Sequence, residues 1–199
     1  MNKVYAPHPP TEILENPVRS LADWNAMRAA CEDDLGAFHG AIAESAIHWY
    51  DSESQSWLSK EENTSWRGWD ASSGERVDTV SWQPWQQALD ESDAPFYRWF
   101  VGGLTNAAFN EVDRHVLAGH GSEIAFHYEG DRWDPALNNG RGGPVYSSSL
   151  TRRELLIQSV FAAQALQDLG LCRGERIAIN MPNILEQVVW TQAAKRLGI

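Results

Sequence analysis

Residues 47–80 alternate between short runs rich in aromatic and β-branched residues and short segments rich in Asp, Ser and Gly. Strand-forming residues separated by turn-forming residues at this spacing predict two β-hairpins. The first pairs residues 47–50 with 55–60, and the second pairs 64–69 with 75–80. We expect cross-strand aromatic contacts in both, between Trp49 and Trp57 and between Trp66 and Val77.

Two segments with a helical spacing of apolar residues precede these hairpins. Apolar residues recur from Leu21 to Ala30 behind a capping Ser20, and the acidic residues 32–34 end this helix. A second short helix is predicted over residues 37–46. The proline-rich residues 1–20 indicate an extended arm, and residues 84–101 a surface connection with two or three aromatic anchors.

The second half of the chain has a different pattern of apolar and polar residues. A helix is predicted over residues 106–117, followed by a strand over 123–130 in which Ile124, Phe126 and Tyr128 alternate with polar residues. A long turn-rich loop then extends to residue 145. Thr151 and Glu154 fit a capping box that begins a helix, with apolar residues recurring to Leu169 before Gly170.

Within residues 176–181, Ile177, Ala178 and Ile179 form an apolar run suited to a buried parallel strand, and a helix is predicted over residues 184–196 before Gly198. Strand and helix alternation predicts an α/β fold, the beginning of a parallel or mixed sheet with crossover helices. The chain stops where the next buried strand is expected, so we expect a truncated domain, preceded by a small Trp-rich α+β region with β-hairpins.

Charge and tryptophan content divide the chain into parts. The formal charge of the 199 residues is −11, but six basic and four acidic residues after position 150 give +2 there and leave −13 for residues 1–150. Eight of the ten tryptophans lie in the first hundred residues. We predict an arm over 1–20, a Trp-rich α+β extension over 21–104, and the start of an α/β domain over 105–199.

Composition also excludes several classes of protein. A chain this acidic is a poor partner for nucleic acid, whose binding depends on Lys and Arg. It has neither an apolar run long enough to span a membrane nor a signal peptide, and its two cysteines are far apart, so we expect a cytoplasmic protein without a disulfide scaffold.

The dense tryptophans have two interpretations. They form either an aromatic platform that binds sugars or Pro-rich peptides, or packing anchors in a small region poor in Leu and Ile. We favour packing anchors. A third hypothesis is a structural domain that holds subunits of an oligomer together.

A family resemblance emerges from motifs that occur in order along residues 95–199. These are Trp99-Phe100, Asn110, Asp113-Arg114-His115, Glu129-Gly130, and the block from Gly174 to Pro182. In this order they resemble the opening of AMP-forming acyl-CoA synthetases of the acetyl-CoA synthetase type, in the ANL ligase fold. Further segments, including residues 36–51 and 137–145, resemble the ligase part of the multifunctional propionyl-CoA synthases.

The resemblance implies an activity for the whole enzyme. A short-chain carboxylate such as 3-hydroxypropionate or propionate would be converted through an acyl-adenylate to the CoA thioester, with ATP, Mg²⁺ and CoA as cofactors. The implied partners are this small-molecule substrate, the remainder of the ligase domain, and possible enoyl-CoA hydratase and reductase modules, the reductase using NADPH. The family's phosphate-binding loop is rich in Ser, Thr and Gly and ends in Lys-Gly, and no such stretch occurs here.

We therefore assign no catalytic, cofactor-binding or metal-binding residue, and expect the isolated chain to be inactive. Residues 139–143 are Gly-rich but lack Lys and do not join a strand to a helix, so a mobile connection is favoured over a phosphate loop. The histidines His115, His120 and His127 show no converging metal-ligand spacing. We expect His115 to bond to backbone at a helix end.

Several charged residues nearby remain candidates for other contacts. Asp113 and Arg114 are adjacent and must each find another partner. The pairs Arg152-Arg153 and Lys195-Arg196 could bind CoA phosphates, although exposed helix-end bases are the commoner case.

Overall fold

The computed structural model describes residues 18–61, 65–79 and 82–199, which divide into two compact units, one ending at Leu104 and the other beginning at Thr105. Most of the predicted N-terminal arm, residues 1–17, lies outside the described residues. The two units are described separately below.

Two helices begin the first unit, α1 (Leu21–Asp33) and α2 (Leu35–Ala46). The Ser20 hydroxyl accepts a hydrogen bond from the Asp23 amide at 3.1 Å, which confirms the predicted cap. The acidic segment that ends α1 also begins α2, because the Asp34 carboxylate accepts from the Ala37 amide at 2.8 Å. No residue of α1 is buried, and Trp24 remains exposed.

The two predicted hairpins form and join into one antiparallel sheet in the order β1-β2-β3-β4. Its strands are β1 (Trp49–Asp51), β2 (Ser56–Glu61), β3 (Ser65–Asp70) and β4 (Arg76–Thr79). The predicted register was wrong: Trp49 lies opposite Leu58, and Trp66 lies opposite Thr79.

The turns explain this difference in register. The last ladder pair of the first hairpin is Asp51 with Ser56, so the turn holds four residues and includes Gln55 at a positive φ of 53°. In the second hairpin the Asp70 amide donates to the Glu75 carbonyl at 2.9 Å, so residues 71–74 form the turn. Each turn is therefore longer than the expected pairs Trp49–Trp57 and Trp66–Val77 would allow, although the predicted strand bounds left room for it.

The predicted connection over residues 84–101 is instead a third hairpin. Its strands are β5 (Gln87–Asp90) and β6 (Arg98–Val101), and the turn between them exposes Phe96 and Tyr97. Asp90 forms an ion pair with Arg98 across the hairpin.

Tryptophans build the core of this unit. Its buried cluster consists of Ala43, Trp49, Leu58, Trp66 and Trp85. The Trp49 indole N–H donates to the Ala43 carbonyl at 2.9 Å, so its buried polar group is satisfied. The interpretation of the tryptophans as packing anchors is confirmed for these three residues.

The second unit opens with a helical segment over residues 107–120. Two stretches of it, Phe109–Asp113 and Val116–His120, are π-helical, with hydrogen bonds such as that from the Arg114 amide to the Phe109 carbonyl. Gly119 adopts a φ of +96°, which interrupts the helical backbone near the predicted end.

The strand predicted at residues 123–130 is present as β7 (Ile124–Glu129), and it pairs antiparallel with β10 (Ser147–Thr151), which the sequence analysis did not predict. The expected apolar face is not buried throughout: Ile124 and Phe126 are exposed, whereas Ala125 packs into the core. The intervening loop contains three short elements, β8 (Trp133–Asp134), α3 (Leu137–Gly140) and β9 (Gly143–Pro144).

Two long helices complete this unit, α4 (Arg152–Asp168) and α5 (Leu185–Leu197). The predicted capping box is confirmed, because the Thr151 hydroxyl accepts from the Glu154 amide at 3.2 Å and the Glu154 carboxylate accepts from the Thr151 amide at 2.8 Å. Leu169 differs from the prediction, since it is exposed beyond the end of α4.

The helices pack through two buried clusters. The first contains Val112, Leu150, Leu155 and Val189, and the second contains Ala163, Leu166 and Ala193. Among the helices of the described residues, none combines the length and apolarity that crossing a membrane requires.

The expected parallel strand over residues 176–181 is not formed. Every strand pair in the described residues is antiparallel, so the fold there is mixed α/β with antiparallel sheets, and no parallel sheet with crossover helices is present. Ile177 does pack against the second helix cluster, as a buried strand residue would. A strand also needs a neighbour that supplies ladder hydrogen bonds, and the described residues place none beside this segment.

Candidate functional site

A polar site of the second unit joins the helical segment 107–120 to the end of α5. Asp113 and Arg196 form a bidentate ion pair with both N–O distances at 2.8 Å, and their side chains are only 18% and 20% exposed. Arg114 cannot face its neighbour Asp113, so the expectation that Asp113 bonds elsewhere is confirmed.

A second ion pair lies beside the first. The Lys195 ammonium donates to both oxygens of Glu111 at 2.7 Å, and the Gln192 amide donates to the same carboxylate at 2.6 Å. Burial acts to raise the pKa of Glu111, but the hydrogen bonds from Gln192 and Lys195 and the lysine charge outweigh it and leave the pKa lowered. The carboxylate is therefore ionised at neutral pH.

Asn106 ties the two helix ends together. Its side-chain oxygen accepts from the Phe109 amide at 3.1 Å, while its side-chain nitrogen donates to the Arg196 carbonyl at 3.0 Å. Amides at a helix start and carbonyls at a helix end have no partner within their own helix, so one Asn side chain satisfies groups of both kinds. Lys195 and Arg196 therefore form ion pairs within this unit, and Arg196 is largely buried rather than the exposed helix-end base that was favoured.

A cavity of about 270 Å³ lies beside these ties. It is lined by Glu111, Val112, Ala125, Phe126, Arg152, Leu155 and Gln192. Gln192 is only 6% exposed, and its side-chain oxygen has no hydrogen-bond partner in the described part of the chain. The lining offers polar and apolar surface for binding but no Ser, Cys or His that could act as a nucleophile.

Arg114, His115, His120, Arg152 and Arg153, which we call the basic cluster, lie where the helical segment 107–120 ends and α4 begins. His115 was expected to bond to backbone; instead its ring nitrogen accepts from the Arg114 guanidinium at 3.5 Å. Burial lowers the pKa of His115, and the charge of Arg114 lowers it further.

The Gly-rich residues 139–143 extend from the end of α3 to the first residue of β9 and do not lead from a strand into a helix. Asn138, Asn139 and Gly140 all have positive φ, and the Asn138 side chain donates to the Gly142 carbonyl at 3.0 Å. The segment is thus a turn held by its own hydrogen bonds. His127, the remaining histidine candidate, is exposed on β7.

The positions that carry the family resemblance have structural contacts. Phe100 packs against Trp49 and Trp85 in the first unit. Gly130 donates its amide to the Tyr146 carbonyl, and Gly174, at a φ of +89°, donates to the Gly198 carbonyl. These contacts stabilise the fold.

Sequence reasoning missed Asn106, Glu111 and Gln192. The pairing of an acidic residue at 111 or 113 with the bases at 195 and 196 spans more than 80 positions. The only sequence signal for these ion pairs is complementary charge, and it does not identify which acidic residue pairs with which basic residue.

Comparison with known proteins first defines a class. The family model described as "Acetyl-coenzyme A synthetase N-terminus" matches residues 74–110, which extend from β4 into the π-helical segment. Residues 74–110 are thus similar to the N-terminal region of acetyl-CoA synthetases.

Individual relatives support the same class. The chain is 48% identical over 122 residues to the acetyl-CoA synthetase of Mycolicibacterium smegmatis, covering 60% of this chain and 12% of the relative. It is 45% identical over 126 residues to that of Mycobacterium bovis (62% and 18%) and 38% identical over 122 residues to that of Paraburkholderia phymatum (61% and 17%). The chain therefore spans less than a fifth of the length of these relatives.

Proposed function

We propose that this chain is the N-terminal part of an ATP-dependent, AMP-forming acyl-CoA ligase that activates a short-chain carboxylate through an acyl-adenylate. The observation that carries the proposal is the 45–48% identity to mycobacterial acetyl-CoA synthetases over about 60% of the chain. The three relatives named above are called acetyl-CoA synthetases, which favours a small carboxylate as substrate.

Within such an enzyme the second unit serves as scaffold. The Asp113–Arg196 pair and the Asn106 tie hold the helical segment 107–120 against α5. ATP, Mg²⁺ and CoA are the cofactors of the proposed whole enzyme, but the described residues do not fit an ATP–Mg²⁺ site. No three His, Cys, Asp or Glu side chains converge among them, and residues 139–143 lack both the Lys and the strand–helix context. No chemical step is therefore assigned to this chain.

A finer proposal concerns substrate and partners. The resemblance of residues 36–51 and 137–145 to propionyl-CoA synthases favours 3-hydroxypropionate or a propionate-like acid, within a fusion that carries hydratase and NADPH-dependent reductase modules. The family model begins at residue 74, so α1, α2 and β1–β3 lie outside it, in keeping with an extension absent from that model.

A chimaera tests the ligase proposal. The segment of the Mycobacterium bovis enzyme that aligns with this chain is replaced by the corresponding residues of this chain, and AMP formation is measured with acetate, propionate and 3-hydroxypropionate. The expected result is carboxylate-dependent AMP formation by the folded chimaera and none by the isolated chain. AMP formation by the isolated chain, or a folded chimaera without activity beside an active parent, would contradict the proposal. The native full-length protein, assayed with the same acids, tests the finer substrate proposal.

A binding or docking module is the second candidate, because the first unit does expose some aromatic side chains. Phe96 is 73% exposed at the β5–β6 turn, and Tyr97, Trp99 and Trp24 are also exposed. Quenching of tryptophan fluorescence by glycans or Pro-rich peptides, lost in a Trp99→Ala variant, is the expected sign of such a module. Unchanged fluorescence across both ligand panels contradicts it.

A further inference from the structure

The basic cluster lies in a chain whose overall charge is −11. Its three guanidinium groups and two imidazoles come from two elements, the helical segment 107–120 and the start of α4. Two carboxylates belong to the same neighbourhood, Glu123 between these elements and Glu154 in the first turn of α4.

Glu123 is shared between two members of the basic cluster. One oxygen lies 2.6 Å from the His120 ring nitrogen, and the other lies 3.4 Å from Arg152 Nε. The hydrogen bond with His120 is the main cause that lowers the pKa of Glu123, and Arg152 adds to it. A single carboxylate therefore contacts both side chains. Glu154 is occupied by the capping box, through bonds from the Thr151 amide and hydroxyl at 2.8 Å.

Arg152 and Arg153 retain hydrogen-bonding capacity. Arg152 Nε is buried and has no hydrogen-bond partner in the described residues, its nearest carboxylate being the Glu123 oxygen at 3.4 Å. Arg153 forms no ion pair within residues 18–61, 65–79 and 82–199. Its guanidinium lies over Gly121, and a Cβ added to this glycine would be 3.1 Å from Arg153 Nη2. Gly121 thus leaves room for the arginine side chain to lie against the backbone.

The local field at His115 is positive. Burial is the largest cause that lowers the pKa of His115. The charges of Arg114, Arg152 and His120 lower it further, and Glu123 alone acts to raise it. These groups face His115 from its own helix, from the following loop and from α4. An anion bound among them would oppose the three lowering charges.

The backbone amides at the start of α4 are not available to a ligand. The Arg152 amide donates to the Glu123 carbonyl at 2.9 Å, the Arg153 amide to the Gly121 carbonyl at 3.0 Å, and the Glu154 amide to the Thr151 hydroxyl. Any anion here must be held by side chains. Planar guanidinium groups match the oxygen geometry of phosphate better than that of a monatomic anion.

We propose that the basic cluster is a binding site for a diphosphate group, either as free pyrophosphate or within a nucleotide or coenzyme. The guanidinium groups of Arg152 and Arg153 donate to the phosphate oxygens, and Arg114 supplies charge from the facing helix. His115 takes up a proton when the anion binds, so affinity rises as pH falls through the pKa of this histidine. The proposal stands on the cluster itself and does not depend on the ligase assignment.

The test uses the whole 199-residue chain and inorganic pyrophosphate, with the imidazole resonances of His115 followed by NMR over a range of pH. Saturable shifts and a raised pKa of His115 are expected. Arg153→Gln should weaken binding at least about fivefold, and Arg153→Lys, which keeps the charge but loses the planar fork, should have an intermediate effect. Arg141→Gln, an exposed arginine of the long connection, is the matched control and should bind as the wild type does.

Further ligands separate the sources of the anion. Binding of both pyrophosphate and ADP supports a site for a diphosphate group on a larger molecule, and binding of pyrophosphate alone supports a site for the free ion. Equal shifts with sodium chloride at the same ionic strength would show general screening and overturn the proposal. Unchanged affinity in a folded Arg153→Gln variant, as judged by its circular dichroism, would overturn it as well.

Discussion

Replacing Arg196 by Met tests the tie between the helical segment 107–120 and α5. The change removes both 2.8 Å bonds to Asp113 while retaining much of the apolar side-chain volume. It leaves the Asp113 carboxylate, only 18% exposed, without its cation. Loss of one partner from a fully buried pair costs about 3–5 kcal/mol, and the partial exposure here lowers the expected cost to about 2–3 kcal/mol.

Amide hydrogen exchange of α5 measures this cost. A loss of about 2–3 kcal/mol corresponds to roughly 30- to 150-fold faster exchange in residues 185–197, because about 1.4 kcal/mol changes an equilibrium constant tenfold. The control is Arg28→Met, which removes a 2.8 Å pair with Glu32 in which both side chains are about two thirds exposed. Exchange of α1 in that variant should change by less than about threefold.

A double variant distinguishes loss of the pair from loss of packing. Arg196→Met combined with Asp113→Leu removes the orphaned carboxylate, so α5 should exchange more slowly than in Arg196→Met alone. A single variant whose α5 exchange stays within about threefold of the wild type would refute the reasoning. So would a double variant that is destabilised by the sum of the two single changes.

Two further predictions concern the four-stranded sheet. Gly68→Ala should abolish the folded first unit, because a Cβ at this position would lie 1.6 Å from the carbonyl oxygen of Trp57 on the neighbouring strand. A red shift of the tryptophan emission would report the loss of the fold, and an emission spectrum like that of the wild type would contradict the prediction. Asp70 has a pKa lowered from 3.8 to about 2, mainly by the Ser72 side-chain hydrogen bond and then by the bonds of Ser73. Its contribution to stability is therefore complete above about pH 4 and lost as pH falls toward 2. The Asp70 carboxyl carbon should titrate near pH 2, and Ser72→Ala should raise the midpoint; a wild-type midpoint near 3.8 would contradict this.

Elements marked by local signals were predictable from the sequence. The Ser20 cap and the Thr151–Glu154 capping box lie where their side chains indicate, because the bonds that make them span only three positions. The register of the hairpin strands was harder to predict. The pairing of Trp49 with Leu58 depends on a four-residue turn, and one residue of error in turn length changes every opposing pair.

The candidate site was predictable only in part. The sequence indicates that Asp113 needs a cation other than Arg114, but the cation it binds is 83 positions away. The basic cluster is also assembled from separate parts of the chain. Arg114 and Arg152 belong to different elements, and only the fold shows that both act on His115. Contacts of this kind depend on tertiary packing, which composition and periodicity do not encode.

The segment 176–181 shows what an apolar run can and cannot predict about a segment. Ile177 and Ile179 are half-buried while Ala178 between them is exposed, so the run is not covered on both faces as a buried parallel strand would be. Ile177 contacts the cluster of Ala163, Leu166 and Ala193, the burial expected of a strand. Yet strand formation also requires backbone donors and acceptors on an adjacent chain segment, because a ladder is a property of two segments. An apolar run thus predicts that a segment contributes side chains to a core, whereas its secondary structure is decided by whether a partner lies alongside.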